Sequence, residues 1–224
     1  MVSKGLLTRI FASISLLAVI GQAPAREAEI CAPFKDGAVD SSLLESMLSA
    51  AQKGHLYRMV QSSSQVGFCV ESKVSTIEGH FRDFQGGIAL KTGDHLDGQT
   101  MVLIKTASLD TDGAVINNMV KGKQFFDVEK YPEILFVSRG FEWTGSDTAV
   151  LTGDLTMRGI TKPVTFDVVL TPLGGTRIGT AEKILVKATT TINRTEFGMD
   201  GLSTLVNSNV QLCLTVEALK YSSI

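Results

Sequence analysis

Residues 151–170 read LTGDLTMRGITKPVTFDVVL, two runs of alternating apolar and polar residues around a short group of small, basic and turn-forming residues. In the first run, Leu151, Leu155 and Met157 share one face of an extended chain, and the second run repeats the alternation. Gly159, which lies between the runs, suits a turn. The stretch therefore predicts a β-hairpin with one apolar face, and that face has to be covered by other parts of the chain.

The same alternation recurs along most of the chain from Leu56 onward. Because few helical segments are available to cover so many apolar faces, the strands are expected to pack on themselves. Closely spaced turns favour an all-β, closed antiparallel barrel of about eight strands in up-and-down order. Pro163, which cannot donate to a ladder, is expected at the first residue of its strand. The other clear strand runs are QVGFCVES at 65–72, PVTFDVVL at 163–170, EKILVKATTTI at 182–192 and NVQLCLTVEAL at 209–219.

Two segments interrupt this pattern. Residues 26–54 form an N-terminal extension in which SSLLESMLSAAQ, at 41–52, has the spacing of one amphipathic helix. We expect this helix to pack on the barrel; a position over a barrel mouth and a role in association, for example as a homodimer, stay open. Residues 110–133 are polar with scattered apolar positions, and predict one or two helical turns over one mouth.

The N-terminus, residues 1–25, has the pattern of a secretory signal peptide. Lys4 and Arg9 precede the apolar run 10–21, and the small-residue site Ala23-Pro24-Ala25 follows it. The run is too short to span a bilayer, so no permanent membrane span is expected. The barrel domain, residues 55–224, is therefore predicted to be periplasmic or secreted.

Charge and cysteine spacing narrow the classes of partner. The chain has 21 Lys and Arg against 23 Asp and Glu, with no basic run of the kind that binds nucleic acid. Cys31, Cys69 and Cys213 are too far apart for a CxxC redox or zinc motif. In an oxidising compartment they allow one disulfide of unknown pairing, and three free thiols are the alternative.

Motifs of catalysis and metal binding are not found in the sequence. His55, His80 and His95 lack the spacing of zinc ligands, and no GxSxG or calcium-loop pattern occurs. We therefore assign no catalytic residue, no metal and no cofactor, and expect a binding protein rather than an enzyme.

A barrel of eight strands is either filled by its own side chains or encloses one small ligand. The inward-facing positions are nearly all apolar and mixed in size, which suits a lipid tail, while a closed ligand-free core stays an alternative. Arg158 and Lys162, in the group MRGITKP, either turn the chain or contact an anionic head group. The predicted interior positions are Phe68, Val70, Phe81, Leu103, Phe136, Leu155, Met157, Phe166, Val168, Val186, Leu214 and Val216.

Four stretches carry a resemblance to a known family. They are YRMVQSSSQVGFCVESKVSTIEGHFRDFQGGIAL at 57–90, FFDVEKYPEILFVS at 125–138, the stretch 151–170 quoted above, and INRTEFGM at 192–199. Together they resemble the YceI-like family of secreted bacterial proteins over roughly residues 56–220. The resemblance implies an extended, lipocalin-like barrel that binds a polyisoprenoid or a similar amphiphile, with no known catalytic activity. It also implies an association with periplasmic lipid or quinone handling and with stress responses.

Three functions follow from these observations, in decreasing order of support. The first is a carrier that sequesters an isoprenoid, a quinone or a fatty-acid-like lipid inside the barrel. The second is a ligand-free structural or interaction module whose N-terminal helix binds a partner. The third is a lipid-modifying enzyme, which would need an inward-facing polar cluster.

Overall fold

The computed structural model describes residues 41–53, 55–90, 98–175 and 177–221. The predicted signal peptide, Cys31 and the first part of the N-terminal extension lie outside the described residues. Within them the chain forms two α-helices, α1 (Ser41–Gln52) and α2 (Ala114–Lys121), and eleven strands. The strands are β1 (Leu56–Met59), β2 (Gln65–Glu71), β3 (Thr76–Phe81), β4 (Phe84–Leu90), β5 (Gly98–Lys105), β6 (Leu109–Thr111), β7 (Glu133–Trp143), β8 (Thr148–Met157), β9 (Ile160–Leu173), β10 (Lys183–Asn193) and β11 (Asn209–Lys220).

The strands close into one antiparallel barrel. Both β1 and β2 pair with β11. On their other edges, β1 pairs with β4 and β2 pairs with β3. In turn, β4 pairs with β5 and β3 pairs with β6. These six strands are therefore three long bent strands, broken at 60–64, 82–83 and 106–108. With β7 to β11 they give the predicted eight-stranded, up-and-down barrel, in which the first and last strands are neighbours.

Alternation of side chains places the core inside the barrel. In β8, Ala149, Leu151, Leu155 and Met157 are buried, and more exposed residues lie between them. β10 pairs with β11 along its whole length, so that Val186 lies opposite Val216 on the inner side. This is the period of two that the sequence predicts.

β8 and β9 form the predicted hairpin. Met157 pairs with Ile160, which leaves a two-residue turn with φ values of 53° at Arg158 and 71° at Gly159. Positive φ at both positions is the signature of a type I′ turn, whose twist matches that of the two strands.

The position of Pro163 differs from the prediction. It is the fourth residue of β9 and pairs with Asp154 of β8. The proline is tolerated because β9 pairs with β10 only from Asp167 onward. At Pro163, one edge of β9 therefore has no ladder bond to lose.

Helix α1 packs on the outer wall of the barrel, as expected for the N-terminal extension. It contacts β1 and β4, and its Met47 and Ala51 are buried. The methyl of Met47 lies 3.0 Å from the position that a Cβ would take at Gly87 of β4. The glycine therefore allows the helix to approach the sheet closely.

Candidate functional site

The barrel interior holds a cavity of about 140 Å³. A buried water needs about 10–15 Å³, so the space is large enough for a ligand rather than for one or two waters. Nearly all the lining side chains are aliphatic, aromatic or Met, and the polar exceptions are Thr100 and Arg194. Eleven of the twelve predicted interior residues line it. They are Phe68, Val70, Phe81, Phe136, Leu155, Met157, Phe166, Val168, Val186, Leu214 and Val216.

The twelfth, Leu103, was predicted to face inward, and that orientation is wrong. Its neighbours Val102 and Ile104 line the cavity, so Leu103 lies on the outer face of β5. It is still only 5% exposed, and Met101, on the same face, is fully buried. Because β5 is buried on both faces, its sequence is a continuous apolar run in which alternation does not show which residues face inward.

Glycines on the inner face make room for aromatic rings. A Cβ at Gly79 would lie 2.5 Å from the ring of Phe68, and one at Gly153 would lie 2.6 Å from the ring of Phe136. The ring of Phe136 meets that of Phe166 edge to face at 5.4 Å. These contacts hold the rings against the wall, since edge-to-face pairs at this distance are favourable.

One end of the barrel is covered by residues 112–132, hereafter the lid segment. It contains α2 and contributes Met119, Val120, Phe125 and Phe126 to the cavity lining. This confirms the predicted helical turns over one mouth. The sequence did not identify these four residues as lining, although the pair Phe125-Phe126 in an otherwise polar segment is a signal that could have done so.

Arg158 fastens the lid segment to the β8–β9 turn. Its Nη1 donates to the carbonyl of Lys123 at 2.9 Å and also to that of Phe125, and its guanidinium lies 5.5 Å from the centre of the Tyr131 ring. Lys162 is partly exposed on β9, opposite Leu155. Neither basic residue lines the cavity. Their predicted contact with a head group stays a prediction.

Arg194 is the charged residue of the cavity lining, and the sequence analysis did not single it out. It follows β10 directly, begins a short 3-10 helix and is 3% exposed. Its side chain binds carbonyls of the segment between β10 and β11, hereafter the 194–208 loop. Burial lowers the pKa of the Arg194 guanidinium, and the charge of Asp200 opposes this effect. The only sequence signal was its place in INRTEFGM, directly after a strand.

The opposite end of the barrel is closed by Tyr57. Its ring is fully buried, and its hydroxyl donates to the carbonyl of Ala181 at 2.8 Å. Phe141 and Trp143 meet edge to face at 5.2 Å near the end of β7. This end therefore combines a buried hydrogen bond with aromatic packing.

Cys69 and Cys213 lie on the outer faces of β2 and β11 and are free thiols in the structure. The Sγ of Cys69 donates to Oε1 of Gln211 at 3.4 Å. Burial raises the pKa of the Cys69 thiol, and Cys213, Glu78 and Glu71 raise it further. The predicted disulfide is not formed between these two residues here, and any pairing with Cys31 lies outside the described residues.

Two further properties concern the described part of the chain. No group of three or more His, Cys, Asp or Glu side chains is arranged there to hold a metal ion. None of the helices in those ranges has the length and apolar character needed to cross a bilayer.

Residues 57–218 match the sequence profile of the YceI-like domain. The chain belongs to the YceI-like family. It is 36% identical over 185 residues to a UPF0312 protein of Pseudomonas putida strain GB-1, covering 78% of this chain and 92% of that protein. A UPF0312 protein of Pseudomonas fluorescens strain SBW25 is 35% identical over 151 residues, which cover 65% of this chain and 75% of that protein.

Solved structures show the same YceI-like fold. BcnA of Burkholderia cenocepacia superposes with a TM-score of 0.64 at 23% identity, over 71% of this chain and 98% of that one. The YceI protein of Campylobacter jejuni gives 0.56 at 24% identity, over 63% and 84%. A domain of Saccharophagus degradans described as polyisoprenoid-binding gives 0.55 at 16% identity, over 73% and 98%.

Proposed function

We propose that the protein is a periplasmic or secreted carrier that holds a long-chain amphiphile, such as a polyisoprenoid, a quinone or a fatty-acid-like lipid, inside its barrel. The observation that carries the proposal is the apolar cavity of about 140 Å³ beneath the lid segment. Each methylene moved from water into such a lining contributes about 0.8 kcal/mol. The signal peptide predicted for residues 1–25 supports the compartment.

The description of one structural neighbour agrees with the proposed class of ligand. The Saccharophagus degradans domain with the same fold is described as polyisoprenoid-binding. At 16% identity this likeness carries the fold alone, so the ligand is argued from the lining of the present cavity. That lining is suited to an acyl or isoprenoid chain, which needs contact area rather than hydrogen bonds.

The alternatives receive less support from the described residues. Met47 and Ala51 of α1 are buried against the barrel wall, so these two apolar side chains are not free for a partner. A lipid-modifying enzyme would need an inward-facing polar cluster, whereas the described lining holds one charged side chain, that of Arg194. Asp154 binds Arg139 on the outer side of β8. The lining favours binding over catalysis.

The experiment compares two adjacent substitutions on β9. Val168 lines the cavity, whereas Val169 faces outward and is 39% exposed. Val168→Phe places a ring in the ligand's space, and we expect the affinity for a fluorescent long-chain fatty acid to fall about tenfold, as overpacking does at this scale. Val169→Phe is the matched control and should leave the affinity unchanged.

A second measurement identifies what the protein carries. Mild purification from the native host, organic extraction and mass spectrometry should recover a long-chain amphiphile in a near-stoichiometric amount. If the extract is empty and the protein takes up neither an added isoprenoid nor a fatty acid, the carrier function is refuted and a solid barrel is favoured.

A further inference from the structure

The side chain of Arg194 combines burial, charge and a place on the cavity wall. It is 3% exposed, and the other side chains that line the cavity are uncharged. The ring of Phe125, also part of the lining, lies with its centre 5.7 Å from the guanidinium carbon. A positive charge is therefore held at the lid end of an otherwise apolar space.

The side chain of Arg194 is held by carbonyl oxygens, and the charge of Asp200 acts on it from more than 4.0 Å away. Nε donates to the carbonyl of Asn207 at 2.8 Å, Nη2 to that of Val206 at 2.9 Å and Nη1 to that of Met199. These bonds use three of the five N–H donors of a guanidinium. Among the described residues no carboxylate lies within 4.0 Å of it.

The barrel wall beside Arg194 is incomplete. β9 pairs with β10 only over 167–173, so residues 160–166 have no backbone ladder to the end of β10 that leads into Arg194. Lys162 belongs to this part of β9, which pairs with β8 but not with β10, and it lies opposite Leu155, a residue of the cavity lining. Both basic residues therefore lie at the same end of the barrel, beside a break in its hydrogen bonding.

A buried cation among apolar groups is unfavourable unless an anion accompanies it. We propose that Arg194 binds the anionic head group, a carboxylate or a phosphate, of the amphiphile whose tail fills the cavity. Its two remaining N–H donors provide charge-assisted hydrogen bonds to the oxygens of such a group. The proposal rests on the carrier function and narrows its ligand to anionic amphiphiles.

The test uses the full protein and three probes of equal chain length: hexadecanoic acid, hexadecyl phosphate and hexadecan-1-ol. At pH 8, the acid and the phosphate should bind at least about tenfold more tightly than the alcohol, because hydrogen bonds to charged groups are that much stronger. Equal affinities for all three would overturn the head-group site and leave the carrier function intact. If none of the three binds, the carrier function itself fails.

Arg194→Gln removes the charge and keeps an amide that can donate to the neighbouring carbonyls. We expect it to lose the preference for the acid while its affinity for the alcohol is unchanged, and Arg194→Lys should retain part of the preference. A full preference in a folded Arg194→Gln variant would overturn the proposal. If that variant does not fold, the comparison of probes on the wild-type protein decides alone.

Free anions provide the final arm of the test. Acetate and inorganic phosphate at the concentrations used for the lipids should not displace hexadecanoic acid, because the apolar tail supplies most of the affinity. Displacement by inorganic phosphate at those concentrations would mark a site for free anions and would overturn the assignment to a lipid head group.

Discussion

Gly153 lies on the inner face of β8, between Leu151 and Leu155, and the ring of Phe136 occupies the space next to it. A Cβ there would lie 2.6 Å from that ring and 2.5 Å from the carbonyl oxygen of Val137. The backbone oxygen cannot move aside without disturbing the β7–β8 pairing. The absence of a side chain at this position is therefore what allows the phenylalanine to pack against the wall.

We expect Gly153→Ala to lower the free energy of unfolding by about 1–3 kcal/mol, the usual effect of overpacking. Equilibrium denaturation in urea would measure it. Gly140→Ala is a suitable control, because the Cβ would meet only the hydroxyl of Thr152, at 2.9 Å. If Gly153→Ala is as stable as the wild-type protein, the Phe136 ring moves aside without a loss in the free energy of unfolding.

Single residues show how far alternation can predict the cavity. Phe166 and Val168 were placed correctly because each alternates with a polar neighbour. Leu103 was not, because the residues on both sides of it are apolar and both faces of β5 are buried. Arg194 was missed because its burial depends on carbonyls of residues up to 13 positions away, which no local pattern shows.

At the scale of elements, the β8–β9 turn and the lid segment act together through Arg158. Replacing Arg158 with Met removes the hydrogen bonds to the carbonyls of Lys123 and Phe125. We expect faster amide hydrogen exchange in the lid segment and faster association and dissociation of a bound fatty acid, because local opening becomes easier. Hydrogen exchange with mass spectrometry and stopped-flow fluorescence would measure these effects.

Lys162→Met provides the control for the lid. Lys162 lies on the same hairpin, and among the described residues it makes no hydrogen bond or ion pair with the lid segment. Its replacement should leave hydrogen exchange in the lid unchanged. Unchanged exchange in Arg158→Met as well would show that apolar packing alone holds the lid.

The β2–β11 pair leads to a prediction about pH. The pKa of Cys69 is raised by burial first, then by Cys213. A raised pKa leaves less thiolate at a given pH, so Cys69 of the reduced protein should react with iodoacetamide more slowly than free cysteine at pH 8. Cys213→Ser should lower the pKa of Cys69 and speed the reaction, as measured by mass spectrometry of the labelled peptide.

If the pH midpoint of Cys69 alkylation lies at or below that of free cysteine, the prediction of a raised pKa is wrong. Substituting Cys31 by Ser in every variant keeps the third thiol from contributing. Reduced and air-oxidised samples of the wild-type protein, which retains all three cysteines, would show by mass whether the predicted disulfide forms.

At the scale of the whole molecule, we expect α1 to stabilise the barrel by covering apolar residues on its outer wall. Deleting residues 1–54 would uncover Leu56 and Ala89, which are 3% and 5% exposed on the strands that α1 contacts. An uncovered apolar patch favours self-association and removes packing energy. We expect a lower melting temperature and a larger species in size-exclusion chromatography with light scattering.

Deletion of residues 1–40 is the matched control, because it retains α1. That variant should remain closer to the full chain in both measurements. If the two deletions behave alike and match the full chain, α1 does not stabilise the barrel, and the alternative of a helix that binds a partner would gain support.

The order of elements and the fold class follow from local features of the chain. Period-two alternation, turn residues such as Gly159 and the short spacing between runs are properties of neighbouring residues, so an antiparallel barrel could be derived without coordinates. The lid helix could be placed for the same reason. Three of the eight wall strands are broken, and the breaks were not predicted, because a bend in a strand depends on the neighbours with which it pairs.

The tertiary structure alone decided which faces are buried and where the charge lies. Closure brings Tyr57 to Ala181, 124 positions away, and brings α1 onto the outside of β1 and β4. It also buries Arg194 against the cavity, beside the part of β9 that does not pair with β10. These features arise from contacts between distant segments, whose energies depend on the closed barrel and are absent from any short stretch of sequence.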